Sequence, residues 1–221
     1  MRVERCPITG WDAGVEHPDG GVLEQQGMVP GSGDERPSQD GAMTPDALEN
    51  IRYPIGRLAI DPDVTEAKRG VWIGQIASLP EHLRSALEGL SEGQLDRRYR
   101  AGGWTVRQVT HHLGDEHLNA FAYFKMALTE DEPAIKTYEE PLWAETTDAR
   151  HAPIELSLGL LTALHARWTL LLRSLGESEL ARGYRRPSRG KVSLDAAIQL
   201  YAWHGLHHTA QITGLRAREG W

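Results

Sequence analysis

Two histidines four residues apart, His204 and His208, are the side chains in this sequence best placed to bind a ligand together. Both project from the same face of a predicted helix over 193–218, one turn apart. A buried imidazole left without a partner costs roughly 1–3 kcal/mol, and one metal ion would satisfy both rings. The apolar residues that define the face recur every three or four positions and are Leu194, Ala197, Ile198, Tyr201, Ile212 and Leu215.

A third histidine, His112, borders the apolar face of another predicted helix, which begins at Thr105 and ends near residue 129. Thr105 and Gln108 have the spacing of a capping box, which fixes the start of this helix. Glu116 follows His112 by one turn and continues a polar seam along the same edge. Inward residues on facing helices build the metal sites of helix bundles. Three imidazoles leave coordination positions open, which is typical of a catalytic centre.

Other interpretations of the same residues are open. The histidines can form a polar network in the core, and the pair lacks the glutamate of the zinc-protease motif HExxH. His207 is rotated by about 100° from His208 and is expected to face a neighbouring helix or solvent. Glu116 either orients an imidazole or accepts a proton from a water on the ion, or is a solvated helix charge. Three tryptophans are expected to pack rather than to line a substrate site: Trp104, Trp168 and Trp203.

Four long helical regions place these residues in an all-α fold, a four-helix bundle. The first region runs from Val64 to about Leu90, and Pro80 either ends one helix or begins the next. The others cover 105–129, 155–175 and 193–218. Residues 184–192 read as a short extended excursion. Residues 130–153 are expected to form an irregular loop over the site, in which Tyr138 and Trp143 are candidate substrate contacts.

The net negative charge of the chain is carried by its N-terminal residues. Residues 1–50 hold three arginines, ten acidic residues and many glycines and prolines, which predicts a disordered acidic extension. Met43 is an alternative start within it. Residues 51–221 carry 21 charges of each sign and form the predicted bundle domain. No basic cluster points to a nucleic-acid partner.

The composition also bears on location. No apolar run approaches the roughly 20 residues that span a bilayer, and the first thirty residues lack the apolar core of a secretory signal. Cys6 is the one cysteine and cannot form an internal disulfide. A cytoplasmic protein without a membrane partner is therefore expected.

Four motifs in order resemble the YfiT family of the DinB-like superfamily, over about residue 52 to the C-terminus. They are Tyr-Pro-Ile-Gly at 53–56, Gly-Gly-Trp-Thr-Val-Arg-Gln-Val-Thr-His-His-Leu at 102–113, Lys-Met-Ala-Leu-Thr-Glu at 125–130 and Tyr-Ala-Trp-His-Gly-Leu-His-His-Thr-Ala-Gln-Ile-Thr at 201–213. The resemblance implies a DinB-like up-down four-helix bundle with a metal site between its helices.

The resemblance also implies the ligands. The family's histidine directly before leucine corresponds to His112, and its HxxxH pair with glutamine three residues later corresponds to His204, His208 and Gln211. One Zn or Ni ion per subunit, with water in the remaining positions, and a cytoplasmic homodimer are implied. Members of the family are described as metal-dependent hydrolases or as thiol S-transferases that act with bacillithiol.

Three functions are therefore expected from the sequence. In the first, a metal-dependent hydrolase activates a bound water against a small-molecule substrate, with Glu116 as the catalytic proton acceptor. In the second, a thiol S-transferase uses the same ion to deprotonate the thiol of a cosubstrate. In the third, the bundle is a metal-binding stress module without turnover.

Overall fold

A computed structural model of the protein describes residues 44–187 and 190–221. Over these residues the chain forms nine helices and one antiparallel hairpin, in which Tyr184 pairs with Val192. The elements are α1 Pro45–Arg52, α2 Glu66–Leu87, α3 Glu92–Leu95, α4 Val106–Thr129, α5 Glu140–Trp143, α6 Thr147–His151, α7 Ile154–Ser174, α8 Glu177–Leu180, β1 Gly183–Arg186, β2 Gly190–Ser193 and α9 Leu194–Glu219.

Side chains at their first turns set the starts of the two helices that carry the predicted ligands. The Thr105 hydroxyl accepts from the Gln108 amide at 3.1 Å, and the Gln108 side chain accepts from the Thr105 amide at 2.9 Å. This is the predicted capping box of α4. The Ser193 hydroxyl accepts from the Ala196 amide at 3.2 Å and caps α9. The expected starts of both helices are confirmed.

Helix α2 continues through Pro80, so the expectation that this proline ends one helix or begins another is wrong. Proline has no amide hydrogen for the carbonyl of residue 76, one turn earlier. In the structure the Ile76 carbonyl instead accepts from His165 Nδ1 of α7, at 2.6 Å. A side chain from a neighbouring helix thus replaces the missing backbone bond, and burial of Pro80 holds α2 together.

The predicted four-helix bundle is confirmed, with α2, α4, α7 and α9 as its long helices. Helix α2 packs against α7 and α9, and α4 packs against the same two helices, so α2 and α4 are diagonal. Arg69 near the start of α2 contacts Asp195 at the start of α9, with 2.6 Å between Nε and Oδ1. At the other end Arg216 donates to the Ala86 carbonyl at 2.9 Å. Helices α2 and α9 therefore run in the same direction.

Helices α4 and α7 also run parallel to each other, and α4 is antiparallel to α9, because His112 contacts His208 and Phe124 contacts Tyr201. His111 in the first half of α4 bonds Ser157 at the start of α7 at 2.8 Å, and Phe121 further along α4 contacts Trp168 further along α7. The order along the chain is thus up, down, down, up. The alternation of a simple up-down bundle holds for the first pair of helices and changes at α7.

The segment 130–153 causes this change of direction. It runs back along α4, so that Gln108 donates to the Ala144 carbonyl at 2.7 Å and Arg107 donates to the Ala152 carbonyl at 3.1 Å. The chain thereby returns to the end of the bundle where α4 begins. The segment includes α5 and α6, so the expectation of an irregular loop is wrong for these residues.

The N-terminal boundary differs slightly from the expected one. Helix α1 begins at Pro45, after the cap residue Thr44, so the expected boundary at residue 50 falls inside it. Gln211 of α9 donates to the carbonyl of Arg52 at 3.0 Å and ties α1 to the bundle. The rest of the predicted extension, 1–43, lies outside the described residues. Across the described helices, none is both long and apolar enough to cross a membrane.

Candidate metal centre

The structure brings His112, His204 and His208 together between α4 and α9. One ring nitrogen from each lies within 4.8 Å of the other two, a group that could hold a metal ion. The Nε2 atoms of His112 and His204 are 3.2 Å apart. Two nitrogens bound to one tetrahedral ion at about 2.1 Å would lie about 3.4 Å apart, so this spacing fits a shared ion.

The environment of the three rings keeps them neutral. Each ring is at most 4% exposed. Burial holds the pKa of His112 and His204 well below the usual value and lowers the pKa of His208 to about 4. Neutral imidazole is the form that binds metal ions. The donor set is therefore ready for an ion at neutral pH.

A glutamine one turn along α9 orients His208. Oε1 of Gln211 lies 2.8 Å from His208 Nδ1, so this nitrogen carries the hydrogen and Nε2 is left to bind. The amide of Gln211 donates to His207 Nε2 at 3.0 Å. His207 is buried and stacks on Trp203, so the solvent-facing alternative is wrong and the neighbouring-helix alternative holds, with Tyr53 beside its ring.

Two further histidines, which the sequence reasoning missed, stand behind His204. His117 Nε2 lies 3.0 Å from His204 Nδ1, and His117 Nδ1 lies 3.0 Å from His165 Nε2. The helical spacing of the sequence does mark both of these histidines as core residues. His117 lies four residues after Leu113 on α4, and His165 lies four residues after Leu161 on α7. Both occupy core positions at helical spacing, as His204 and His208 do.

An aromatic ring covers one side of the centre. Trp104 lies with its ring centre 4.7 Å from that of His112 and 6.4 Å from that of His208. Gly102, two residues before Trp104, has φ +69°, a conformation that side chains with a Cβ rarely adopt, so the turn that precedes Trp104 favours glycine at this position. The expectation that Trp168 and Trp203 pack is confirmed, whereas Trp104 packs directly against the site.

Glu116 is buried one turn along α4 from His112 and is 1% exposed. The Tyr201 hydroxyl donates to its Oε1 at 3.3 Å, and Nη2 of Arg186 lies 3.9 Å from the same oxygen. A solvated helix charge is therefore ruled out as the explanation for this residue. The positive charge of Arg186 and the hydrogen bond from Tyr201 favour the ionised form of this carboxylate, whereas its burial opposes it.

Other buried polar groups surround this carboxylate. Glu140 of α5 is 3% exposed, and burial, with the nearby charge of Glu116, raises its pKa to about 7. Within the described part of the chain, Nε and Nη1 of Arg186 have no hydrogen-bond partner. The segment 130–153 thus lies close to Glu116, and Arg186 keeps N–H groups available beside it. Tyr138 and Trp143 of the same segment pack against each other, with ring centres 4.2 Å apart.

We expect the metal-free protein to lose stability in mild acid. Burial lowers the pKa of both His165 and His208 to about 4, against about 6.5 in an unfolded chain. Below pH 6.5 the unfolded chain binds more protons, so stability falls as the pH drops from about 6.5 through about 4. Each residue would cost up to about 3 kcal/mol at pH 4, a large part of the 5–15 kcal/mol typical of a domain.

Urea unfolding with a chelator, at about pH 7.5 and about pH 4.5, measures this loss. The exposed His151 provides the control, because His151→Gln removes a histidine and leaves both buried rings in place. Equal unfolding free energies at both pH values would contradict the expectation.

This chain is similar in sequence to several known proteins. The sequence profile of the DinB superfamily matches residues 75–212. A Bacillus cereus (strain AH820) protein named "Putative metal-dependent hydrolase" is 48% identical over 174 residues, which cover 79% of this chain and 100% of the relative. A Bacillus anthracis (strain A0248) protein of the same name has the same identity and coverage.

A solved structure is also similar. YfiT from Bacillus subtilis, described as a probable metal-dependent hydrolase with an unusual four-helix bundle topology, is 43% identical with a TM-score of 0.76. The match covers 78% of this chain and 99% of the YfiT chain.

Proposed function

Because this chain belongs to the DinB superfamily and is similar to YfiT over its bundle, we propose that it is a metal-dependent hydrolase. His112, His204 and His208 would hold one divalent ion of the zinc type. The observation that carries the proposal is the convergence of three buried, neutral imidazole nitrogens within 4.8 Å. Nitrogen ligands of this kind also accept nickel, so the proposal extends to either metal.

The three histidines leave positions for water and substrate, as catalytic sites do. The ion, when bound, supplies Lewis acidity, which brings the pKa of a water ligand towards about 7. The protein supplies the remaining chemistry through the groups around this position. Trp104 covers one side of the rings and would limit the access of bulk water there.

Glu116 is the proposed proton acceptor. It is one turn from His112, is buried and is the acceptor of the Tyr201 hydroxyl at 3.3 Å. The charge of Arg186, at 3.9 Å, favours the ionised carboxylate that can take a proton. The Nε and Nη1 atoms of Arg186, which have no partner among the described residues, suit the negative charge that develops on a carbonyl oxygen.

The same ligand set supports the thiol S-transferase as the second candidate. Residues 51–221, which form the predicted bundle domain, contain no cysteine, so a thiol for transfer at this site is expected to come from a cosubstrate. The three histidines would hold the ion beside the sulfur of this cosubstrate, and the ion would favour the thiolate form, which suits displacement of halide from an alkyl halide. The third candidate, a metal-binding module without turnover, needs only the histidines.

Activity measurements on the zinc-loaded protein separate the three. We expect hydrolysis of a member of a panel of small esters and amides, without added thiol, lost on chelation and restored by zinc. Turnover that requires both a low-molecular-weight thiol and an alkyl halide would instead establish the transferase. No turnover under either condition, with zinc bound, would leave the non-catalytic module.

Cytoplasmic location, homodimeric assembly and a small-molecule substrate are part of the same proposal. They derive from the sequence and from the family resemblance. Size-exclusion chromatography with light scattering would test the dimer.

A further inference from the structure

A line of hydrogen-bonded histidines leads from His204 to the backbone of α2. His204 Nδ1 meets His117 Nε2 at 3.0 Å, His117 Nδ1 meets His165 Nε2 at 3.0 Å, and His165 Nδ1 meets the carbonyl oxygen of Ile76 at 2.6 Å. All three rings are at most 1% exposed. Neighbouring ring planes differ by 30° and 15°, with ring centres 5.2 and 5.0 Å apart. With the nitrogens at 3.0 Å, the rings must meet edge to edge.

The hydrogen bond from His165 to the Ile76 carbonyl determines which nitrogen donates in each of the other hydrogen bonds of this line. A carbonyl oxygen only accepts, so Nδ1 of His165 carries a hydrogen. The Ile76 carbonyl is available because Pro80 has no amide hydrogen to donate to it. Burial lowers the pKa of His165 to about 4, so the ring is neutral at pH 7 and its Nε2 can only accept.

The same reasoning passes along the line. His117 donates from Nδ1 to His165 and, as a neutral ring, accepts at Nε2. His204 therefore donates from Nδ1 to His117 and keeps the lone pair of Nε2. That lone pair faces the position shared with His112 and His208.

We propose that His117 and His165 are positioning residues that hold His204 as the Nδ1–H tautomer, with the carbonyl freed by Pro80 as the fixed end of the line. The tautomer assignment depends only on the hydrogen bonds. Its consequence for metal affinity depends on the proposed function. The two histidines of α9 are then oriented in different ways: His208 by Gln211 of its own helix, and His204 by side chains of α4 and α7.

The alternative tautomer shows why this support matters. With 3.2 Å between the Nε2 atoms of His204 and His112, a hydrogen on His204 Nε2 could bond directly to His112. Metal binding would then require that hydrogen to be moved first. An acceptor at Nδ1 of His204 disfavours this state and directs the lone pair of Nε2 to the position shared with His112 and His208.

Nitrogen-15 NMR of the imidazoles in the metal-free wild-type protein tests the tautomers without any substitution. We expect His165, His117 and His204 each to carry the hydrogen on Nδ1. A hydrogen on Nε2 of His204 in the folded, metal-free protein would overturn the proposal. This result does not depend on whether the protein binds metal.

Zinc affinity, measured by competition with a chelating dye, tests the consequence. His117→Phe removes the acceptor and should weaken zinc binding about 10- to 100-fold, while His117→Gln keeps an acceptor oxygen and should recover most of the affinity. His111→Phe is the matched control, because His111 is also buried on α4 and bonds Ser157 of α7. It should leave zinc affinity unchanged.

Three outcomes would count against the proposal. Unchanged affinity in His117→Phe, an equal loss in His111→Phe, or no recovery in His117→Gln would each mean that the line does not orient His204. If the wild-type protein binds no zinc, the proposed function fails, and the NMR measurement still decides the tautomers.

Discussion

Replacing His204 with alanine should lower zinc affinity by more than about 100-fold, because substitutions that remove only a supporting residue already cost 10- to 100-fold. The same result is expected for His112→Ala and His208→Ala. Each removes one of the three nitrogens that lie within 4.8 Å of one another. Two imidazoles then remain, which is one fewer than the three protein ligands of typical catalytic zinc sites.

Elemental analysis after equilibration with zinc and dialysis measures this loss. His207→Ala is the control, since His207 is buried next to the proposed ligands but its Nε2 is the acceptor of the Gln211 amide. This variant should retain its metal. Equal metal content in all four variants would refute the ligand assignment.

Replacing Glu116 with glutamine should reduce hydrolysis by about 10²- to 10⁴-fold, the usual contribution of a positioned acid or base. Glutamine keeps the size of the side chain and an oxygen for the Tyr201 hydroxyl, but it cannot accept a proton. Zinc content should stay at the wild-type level. The rate constant kcat, on the ester or amide that the wild-type protein hydrolyses, is the quantity to measure.

Asp115→Asn provides the matched control for Glu116. Asp115 is the neighbouring carboxylate on α4, turned by about 100° around the helix from Glu116. Burial raises its pKa to about 6, so it too is an unusual carboxylate. If Asp115→Asn lowers kcat as much as Glu116→Gln does, the effect reflects the charge of α4 and not a proton acceptor at Glu116.

The positions of the three histidines followed from helical spacing alone. His204 and His208 interrupt an apolar face where leucine would be expected, and His112 borders another such face. These faces must point inward to be buried, so the rings had to point inward with them. Capping by Thr105 and Ser193 fixed the phase of both helices, and the structure confirms both caps.

Features that depend on contacts between helices were harder to predict. A proline inside a helix normally disrupts it, and the contacts that let α2 continue through Pro80, among them the donor from His165 of α7, form only in the folded protein. The sequence gives no indication of a partner for His117 or His165. Their spacing marked them as buried, but a line of hydrogen bonds through three helices exists only in the folded protein.

The direction of α7 could not be predicted either, because it also depends on contacts between parts of the chain that are distant in sequence. Turn signals show that a helix ends, but the path of a segment of more than twenty residues depends on what it packs against. Here Gln108 and Arg107 of α4 hold the segment at residues 144 and 152. These contacts were not visible in the sequence, so the order up, down, down, up could not be derived from helix lengths.

A shared ion would also act as a cross-link between α4 and α9, which hold His112 and His204 at positions 92 residues apart in the chain. The free energy of binding then adds to that of folding, by about 4 kcal/mol when free zinc exceeds its dissociation constant 1,000-fold. Preparations with different ion content would therefore melt at different temperatures. Thermal stability would report on the supply of metal as well as on the amino-acid sequence.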